Sequence, residues 1–148
     1  HRDLHSFPTR RSSDLGIEHD WVKYVENRSL IERFQKGIKV TSREAFNAQI
    51  IELFMMLGDE SLKQMTERGQ QSAIYYFKRI SSARHESLVR SKIIRAFLNL
   101  FWIEFSAKDF ESAEQYLQSV AAMDPSNPDL AVARIKLTEV QTQSGFLR

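Results

Sequence analysis

The sequence predicts an all-α chain of about six helices arranged as antiparallel helical hairpins. Three observations lead there. Apolar residues recur at three- and four-residue spacing in one segment after another, the period of a helix with one buried face. The connections between segments are short and carry start and stop residues such as Thr41, Gly58, Asp109 and Asp124-Pro125. No segment alternates apolar and polar residues at the two-residue period of a half-buried strand. Short connections favour antiparallel neighbours.

The chain has 148 residues, of which 42% are hydrophobic and 27% charged. That suits one domain with a real core. It contains no cysteine, which excludes a disulfide framework and a thiolate metal site. Residues 1–15, HRDLHSFPTRRSSDL, resemble the translation of a sequencing adapter read in one frame. They are set aside as a non-native, disordered segment. Residues 16–148 are expected to form the helical domain, truncated at both ends. Setting the segment aside removes three Arg and two Asp and leaves 18 basic against 17 acidic residues. A net of one positive charge gives no electrostatic footprint for direct nucleic-acid binding. No stretch is long and apolar enough for a membrane span. With no export signal visible, a cytoplasmic location is the expectation.

A first helix is expected over residues 20–36, with Trp21, Tyr24, Val25, Ile31 and Phe34 on one side and Lys36-Gly37 closing it. After a linker at 38–40, Thr41-Ser42-Arg43-Glu44 reads as a capping box. Phe46, Ile50, Leu53, Phe54 and Leu57 then form a helical stripe that Gly58-Asp59 is expected to end. Leu62, Met65, Gly69, Ala73, Tyr76 and Ile80 keep helical spacing, predicting one helix over 60–82. The competing reading breaks it at Gly69-Gln70-Gln71. Residues 81–85 form a turn, and Glu86 opens the helix on which the chain is organised. Its part from Ile93 to Phe105 is apolar almost all round, interrupted only by Arg95, Asn99 and Glu104. A helix of that kind must be covered on more than one side.

After a break at 106–109, Asp109 caps the next helix, which carries Phe110, Ala113, Leu117 and Val120 at helical spacing. Asp124-Pro125-Ser126-Asn127 stops it, because proline lacks the amide proton a helix needs. Pro128 suits the first position of the last helix, with Leu130, Ala133, Leu137 and Val140 on its apolar side. Ser144-Gly145-Phe146 is expected to form a turn.

Lys108-Asp109-Phe110-Glu111-Ser112-Ala113, followed by Leu117, Val120 and Asp124-Pro125-Ser126-Asn127, resembles the second half of a tetratricopeptide repeat (TPR). Phe97 and Leu100 fall at large-residue positions of that repeat's first helix. The resemblance covers residues 94–127, the length of one repeat of about 34 residues. It departs at Phe101, where a small residue is usual, and at Glu104, where an aromatic is usual. Ala73, Phe77 and Ile80 echo Ala113, Leu117 and Val120 at an offset of 40 residues, from 73 to 113. The resemblance implies a TPR-like α-solenoid fragment in which helical hairpins stack.

No catalytic set is present in the sequence. Outside the first 15 residues the histidines are His19 and His85, without spaced partners. There is no phosphate-binding glycine loop and no nucleophile elbow. Glu111 and Glu114 read as a solvated face. The expectation is therefore a non-catalytic protein with no cofactor and no metal.

Two features stand out. Residues 63–95 carry eight basic side chains against Glu67 and Glu86, whereas residues 96–129 carry Lys108 against six acidic ones. This reads as a basic patch for an acidic peptide or phosphate, or as ordinary solvated helix faces. The second feature comes with the resemblance, which places Arg95, Leu98, Asn99, Trp102 and Phe105 on the concave groove, where a peptide or protein partner docks. The alternative packs Leu98, Trp102 and Phe105 against a neighbouring helix. A reading from another class makes the chain the C-terminal sensory or dimerising region of a bacterial signalling or transcription regulator. The sequence leaves the oligomeric state open.

Overall fold

The computed structural model describes Arg28, Glu32 and residues 42–147. Over the described residues the protein is helical, with five α-helices, one 3-10 turn and no strand: α1 (Arg43–Leu62), α2 (Glu67–Lys78), the 3-10 turn Ala83–His85, α3 (Glu86–Ser106), α4 (Phe110–Met123) and α5 (Pro128–Leu147). The chain divides into two compact units, His1–Leu53 and Phe54–Arg148. In the first, Arg28 and Glu32 are both helical and approach to 4.0 Å across one turn. The rest of the helix expected over 20–36, the linker at 38–40 and Thr41 lie outside the described residues. The observed cap of α1 is Ser42, whose Oγ accepts from the Ala45 amide at 3.0 Å.

The second unit is built around α3, which packs against α2, α4, α5 and the 3-10 turn. Two stripes account for its apolar character. Val89, Ile93, Ala96 and Leu100 meet Ala73, Ile74 and Phe77 of α2. Ile94, Leu98 and Phe101 meet Ala113, Leu117 and Val120 of α4 and Leu130, Ala133 and Leu137 of α5. Each stripe repeats at three and four residues, so one helix serves two cores. Phe101 and Glu104, the two departures from the repeat pattern, are both buried.

The boundaries of α4 and α5 follow local chemistry. Asp109 Oδ1 accepts from the Ser112 amide at 3.1 Å. Lys108, just before it, holds φ at 65°. Its amide and that of Asp109 donate to the carbonyls of Phe105 and Glu104 at 3.0 and 2.9 Å, closing α3 through a left-handed residue. Asn127 Oδ1 accepts from the amides of Asp129 and Leu130 at 2.8 and 3.3 Å and so starts α5.

Three expectations are corrected. The helix expected over 60–82 is two helices. Thr66 Oγ1 accepts from the Gly69 amide at 3.0 Å, so the chain restarts there and Gly69 sits in the first turn of α2. Gly58-Asp59 does not end α1, which continues to Leu62. Gly58 serves close packing instead: a Cβ there would overlap the Phe77 ring. The turn expected at 144–146 is absent, and α5 runs on to Leu147.

Candidate functional site

The five residues singled out on α3 sit at different places around one helix. At about 100° per residue, Trp102 falls within about 20° of Arg95. Leu98 and Phe105 fall about 60° and 80° to one side, and Asn99 about 40° to the other. Their surroundings in the structure follow this order.

Leu98, 1% exposed, belongs to the core with α4 and α5. Phe105, half-buried, packs against the same core. Asn99, on the opposite flank, donates from Nδ2 to Gln70 Oε1 of α2 at 3.0 Å. Arg95 and Trp102 remain exposed between them. Arg95 reaches Asp129 of α5 at 3.0 Å, with both side chains at least half exposed.

Trp102 is 37% exposed. Its ring meets Phe101 edge-on at 4.7 Å and Phe105 at 5.6 Å. Phe105 in turn meets Phe110 of α4 at 5.5 Å. Edge-to-face geometry of this kind aligns the positive ring edge with a negative ring face. The indole is thus held against a rigid aromatic base while one side faces solvent.

Next to Arg95 lies an open cleft of about 350 Å³ lined by Leu62, Ser91, Lys92, Ile94, Arg95, Leu98, Asp124, Asn127 and Asp129. Lys92 and Asp129 entered the sequence reading only as members of the basic and acidic runs. Lys92 Nζ contacts Asp59 of α1 at 2.7 Å and lies 5.8 Å from the centre of the Phe77 ring. The helical offset from Lys92 to Arg95 is the only sequence signal that ties Lys92 to this face.

The charge asymmetry of the sequence folds back on itself. Lys92 and Arg95 find their partners, Asp59 and Asp129, outside the basic run. Lys63 pairs with Glu60 at 3.4 Å and Arg90 with Glu86 at 3.3 Å. Arg79 lies over the Tyr75 and Phe54 rings at 4.8 and 5.9 Å. Lys63, Arg79, Arg90, Lys92 and Arg95 of the run are thus each engaged with a carboxylate or an aromatic ring.

Glu111 and Glu114 are exposed on α4. His85 Nδ1 lies 2.9 Å from Ser82 Oγ within one turn. Among the described residues no group of three or more His, Asp or Glu side chains could hold a metal ion. No described helix is long and apolar enough to cross a membrane.

Burial raises the pKa of the Glu104 carboxyl, and the nearby Glu67 and Asp109 carboxylates and a hydrogen bond with Glu67 raise it further. Sequence reading noticed Glu104 as an interruption of the apolar helix and a departure from the repeat pattern, not as a site residue. No protein-family model, curated protein or solved structure matches the chain.

Proposed function

We propose that this chain is a non-catalytic interaction module of TPR-like helical hairpins that binds a peptide or protein partner through the exposed face of α3. The observation that carries this reading is Trp102, a half-open indole on an aromatic base, two helical turns along the same face of α3 from Arg95 and the cleft that Arg95 lines. Tryptophan and arginine are the side chains most often found at the energetic centre of binding surfaces. A guanidinium offers a forked set of donors to a carboxylate or a backbone carbonyl. The burial of Ala113 against α3 supports the hairpin arrangement, since a small residue there lets two helices approach closely.

The test selects peptides from a random display library on the immobilised chain. Binding of the selected peptides is then measured to Trp102→Ala and Arg95→Ala. The reading expects at least a tenfold loss in both variants, with helicity by circular dichroism retained. Peptides that bind wild type and Trp102→Ala equally overturn it.

The sensory or dimerising reading is favoured by one feature. Val132 and Ile135 of α5 are 54% and 60% exposed, one turn apart on the helix. A self-associating surface there predicts a concentration-dependent mass in light scattering that Ile135→Lys abolishes.

A further inference from the structure

Between Glu67 and Glu86 the sequence has no acidic residue. Lys78 and Arg79 at the end of α2, and Arg84 in the 3-10 turn, are exposed. Among the described residues no carboxylate pairs with any of the three, whereas Lys63, Arg90, Lys92 and Arg95 of the same run each have one. Arg79 is held by rings instead: its guanidinium carbon lies 4.8 Å from the centre of the Tyr75 ring and 5.9 Å from that of Phe54. A guanidinium resting on aromatic faces keeps the N–H groups around its edge, and it loses little freedom when a carboxylate arrives.

The linker that carries these cations borders an open cleft of about 290 Å³. Ile80, Val89, Ile93 and Met123 form apolar walls at the edge of the core shared by α2 and α3. Glu86 and Arg90 also line the cleft and pair with each other at 3.3 Å, so its lining has no net charge of its own. Ile80 and Ala83 line it from the linker, which makes Arg79 and Arg84 the chain neighbours of two lining residues. Val89 and Ile93 fall about 120° and 160° from Arg95 around α3. The cleft therefore opens on a different side of that helix from Arg95 and Trp102.

An apolar recess with unpaired cations beside it suits an occupant that is apolar and anionic at once. A purely apolar ligand would leave the cations unanswered, and a bare anion would leave the recess unfilled. A nucleic acid would ask for a ring face open to a base, and Arg79 already lies over Tyr75. We propose that this cleft is a second docking surface, which takes an acidic segment of a partner protein. One apolar side chain of that segment enters the cleft between Ile80 and Met123, and neighbouring carboxylates meet Arg79 and Arg84.

The test uses the full chain carrying Trp102→Ala, so that its outcome does not depend on the face of α3 described above. Random peptides are selected from a display library on that chain, with the same chain carrying Ala83→Trp as the counter-selection bait. An indole at this exposed rim position fills the cleft and leaves every charge in place. The selected peptides are expected to carry Asp or Glu next to Leu, Ile, Met or Phe. By fluorescence anisotropy their affinity should fall about tenfold when Arg79→Gln and Arg84→Gln are combined. It should fall about as far when the apolar residue of the peptide is replaced by glycine. Peptides that bind the Ala83→Trp chain equally well overturn the proposal, as does equal affinity for the parent and glycine peptides, which would leave charge attraction alone. Displacement of the peptides by a single-stranded oligonucleotide that binds more tightly would overturn it in favour of nucleic acid. Should Ala83→Trp fail to fold, the Arg79→Gln, Arg84→Gln chain replaces it as the counter-selection bait, and peptides that bind that chain equally well overturn the proposal.

Discussion

Asn99 donates its side-chain amide to Oε1 of the fully buried Gln70 at 3.0 Å, and this contact sets the direction of the network around it. Gln70 Nε2 gives its two protons to the carbonyls of Leu62 and Gln64, both at 2.8 Å. Those carbonyls lie at the end of α1 and in the turn after it, where helix geometry leaves acceptors without intrahelical partners; the Gln64 carbonyl also accepts from the Thr66 amide at 2.7 Å. The reverse orientation of the Gln70 amide would set its oxygen against two carbonyls. One side chain therefore closes α1, fixes the turn into α2 and ties both to α3.

Gln70→Ala is expected to cost about 2–4 kcal/mol. It takes the side-chain donor from the Leu62 carbonyl, at roughly 1–3 kcal/mol for an unsatisfied group, and opens a cavity, while the Gln64 carbonyl keeps the Thr66 amide at 2.7 Å. Gln70→Glu keeps the volume but removes the donors and buries a charge, so it should also destabilise at neutral pH. Urea unfolding followed by circular dichroism measures both. A loss under 1 kcal/mol for Gln70→Ala would mean that water replaces the amide.

Leu98 and Trp102 should separate a core role from a surface role on the same helix. Leu98→Ala removes a side chain packed against α4 and α5 and is expected to cost about 2–5 kcal/mol. Trp102→Ala loses two edge-on ring contacts, worth about 0.5–1.5 kcal/mol each, and, with the ring 37% exposed, leaves an open notch instead of a closed cavity. Thermal unfolding of the two variants should therefore rank Leu98→Ala clearly below Trp102→Ala. Equal losses would place Trp102 in the core and remove it from the binding face.

The same helix shows what the sequence could reveal and what it could not. The ends of α4 and the start of α5 were legible because their signals are local: Asp109, Asp124-Pro125 and Asn127-Pro128 each act within three residues. That α3 is covered on more than one side was legible because its apolar residues run almost all round it. The break between α1 and α2 was not. Leu62, Met65, Gly69 and Ala73 continue the helical period across it, while the residue that stabilises the break, Gln70, acts from within α2 on carbonyls up to eight positions earlier. Nor could spacing decide which of the five α3 candidates stay exposed. They span about 120° of the helix, and only the positions of α2, α4 and α5 show which flank is covered. The charge runs left their pairing open for a similar reason, since Lys92 and Arg95 find their partners 33 and 34 residues away.

Gly58 should behave against its helix propensity. Alanine in a helix interior is ordinarily better than glycine by about 1 kcal/mol. Here the added methyl would overlap the Phe77 ring, which is fully buried and has no room to retreat. Gly58→Ala is therefore expected to destabilise by about 1–3 kcal/mol, as overpacking does. Adding Phe77→Leu should recover part of that loss, giving a favourable coupling in a double-mutant cycle.

Lys108 offers the opposite sign. Its φ of 65° lies in the left-handed region, where a Cβ crowds the following carbonyl. The cost is about 1 kcal/mol, and glycine escapes it. The side chain is exposed, so its removal sacrifices little packing. The three amides that close α3, from Ala107, Lys108 and Asp109, all belong to the backbone and survive the change. Lys108→Gly should thus raise stability by roughly 0.5–1 kcal/mol, while Lys108→Val, branched at Cβ, should lower it. Asp109→Ala next door should cost about 1 kcal/mol, because the Ser112 amide loses its acceptor. Urea midpoints in the order Lys108→Gly, wild type, Lys108→Val would confirm that α3 and α4 are joined through a left-handed residue. A Lys108→Gly variant less stable than wild type would mean that the unfolded chain's added freedom outweighs the relieved strain.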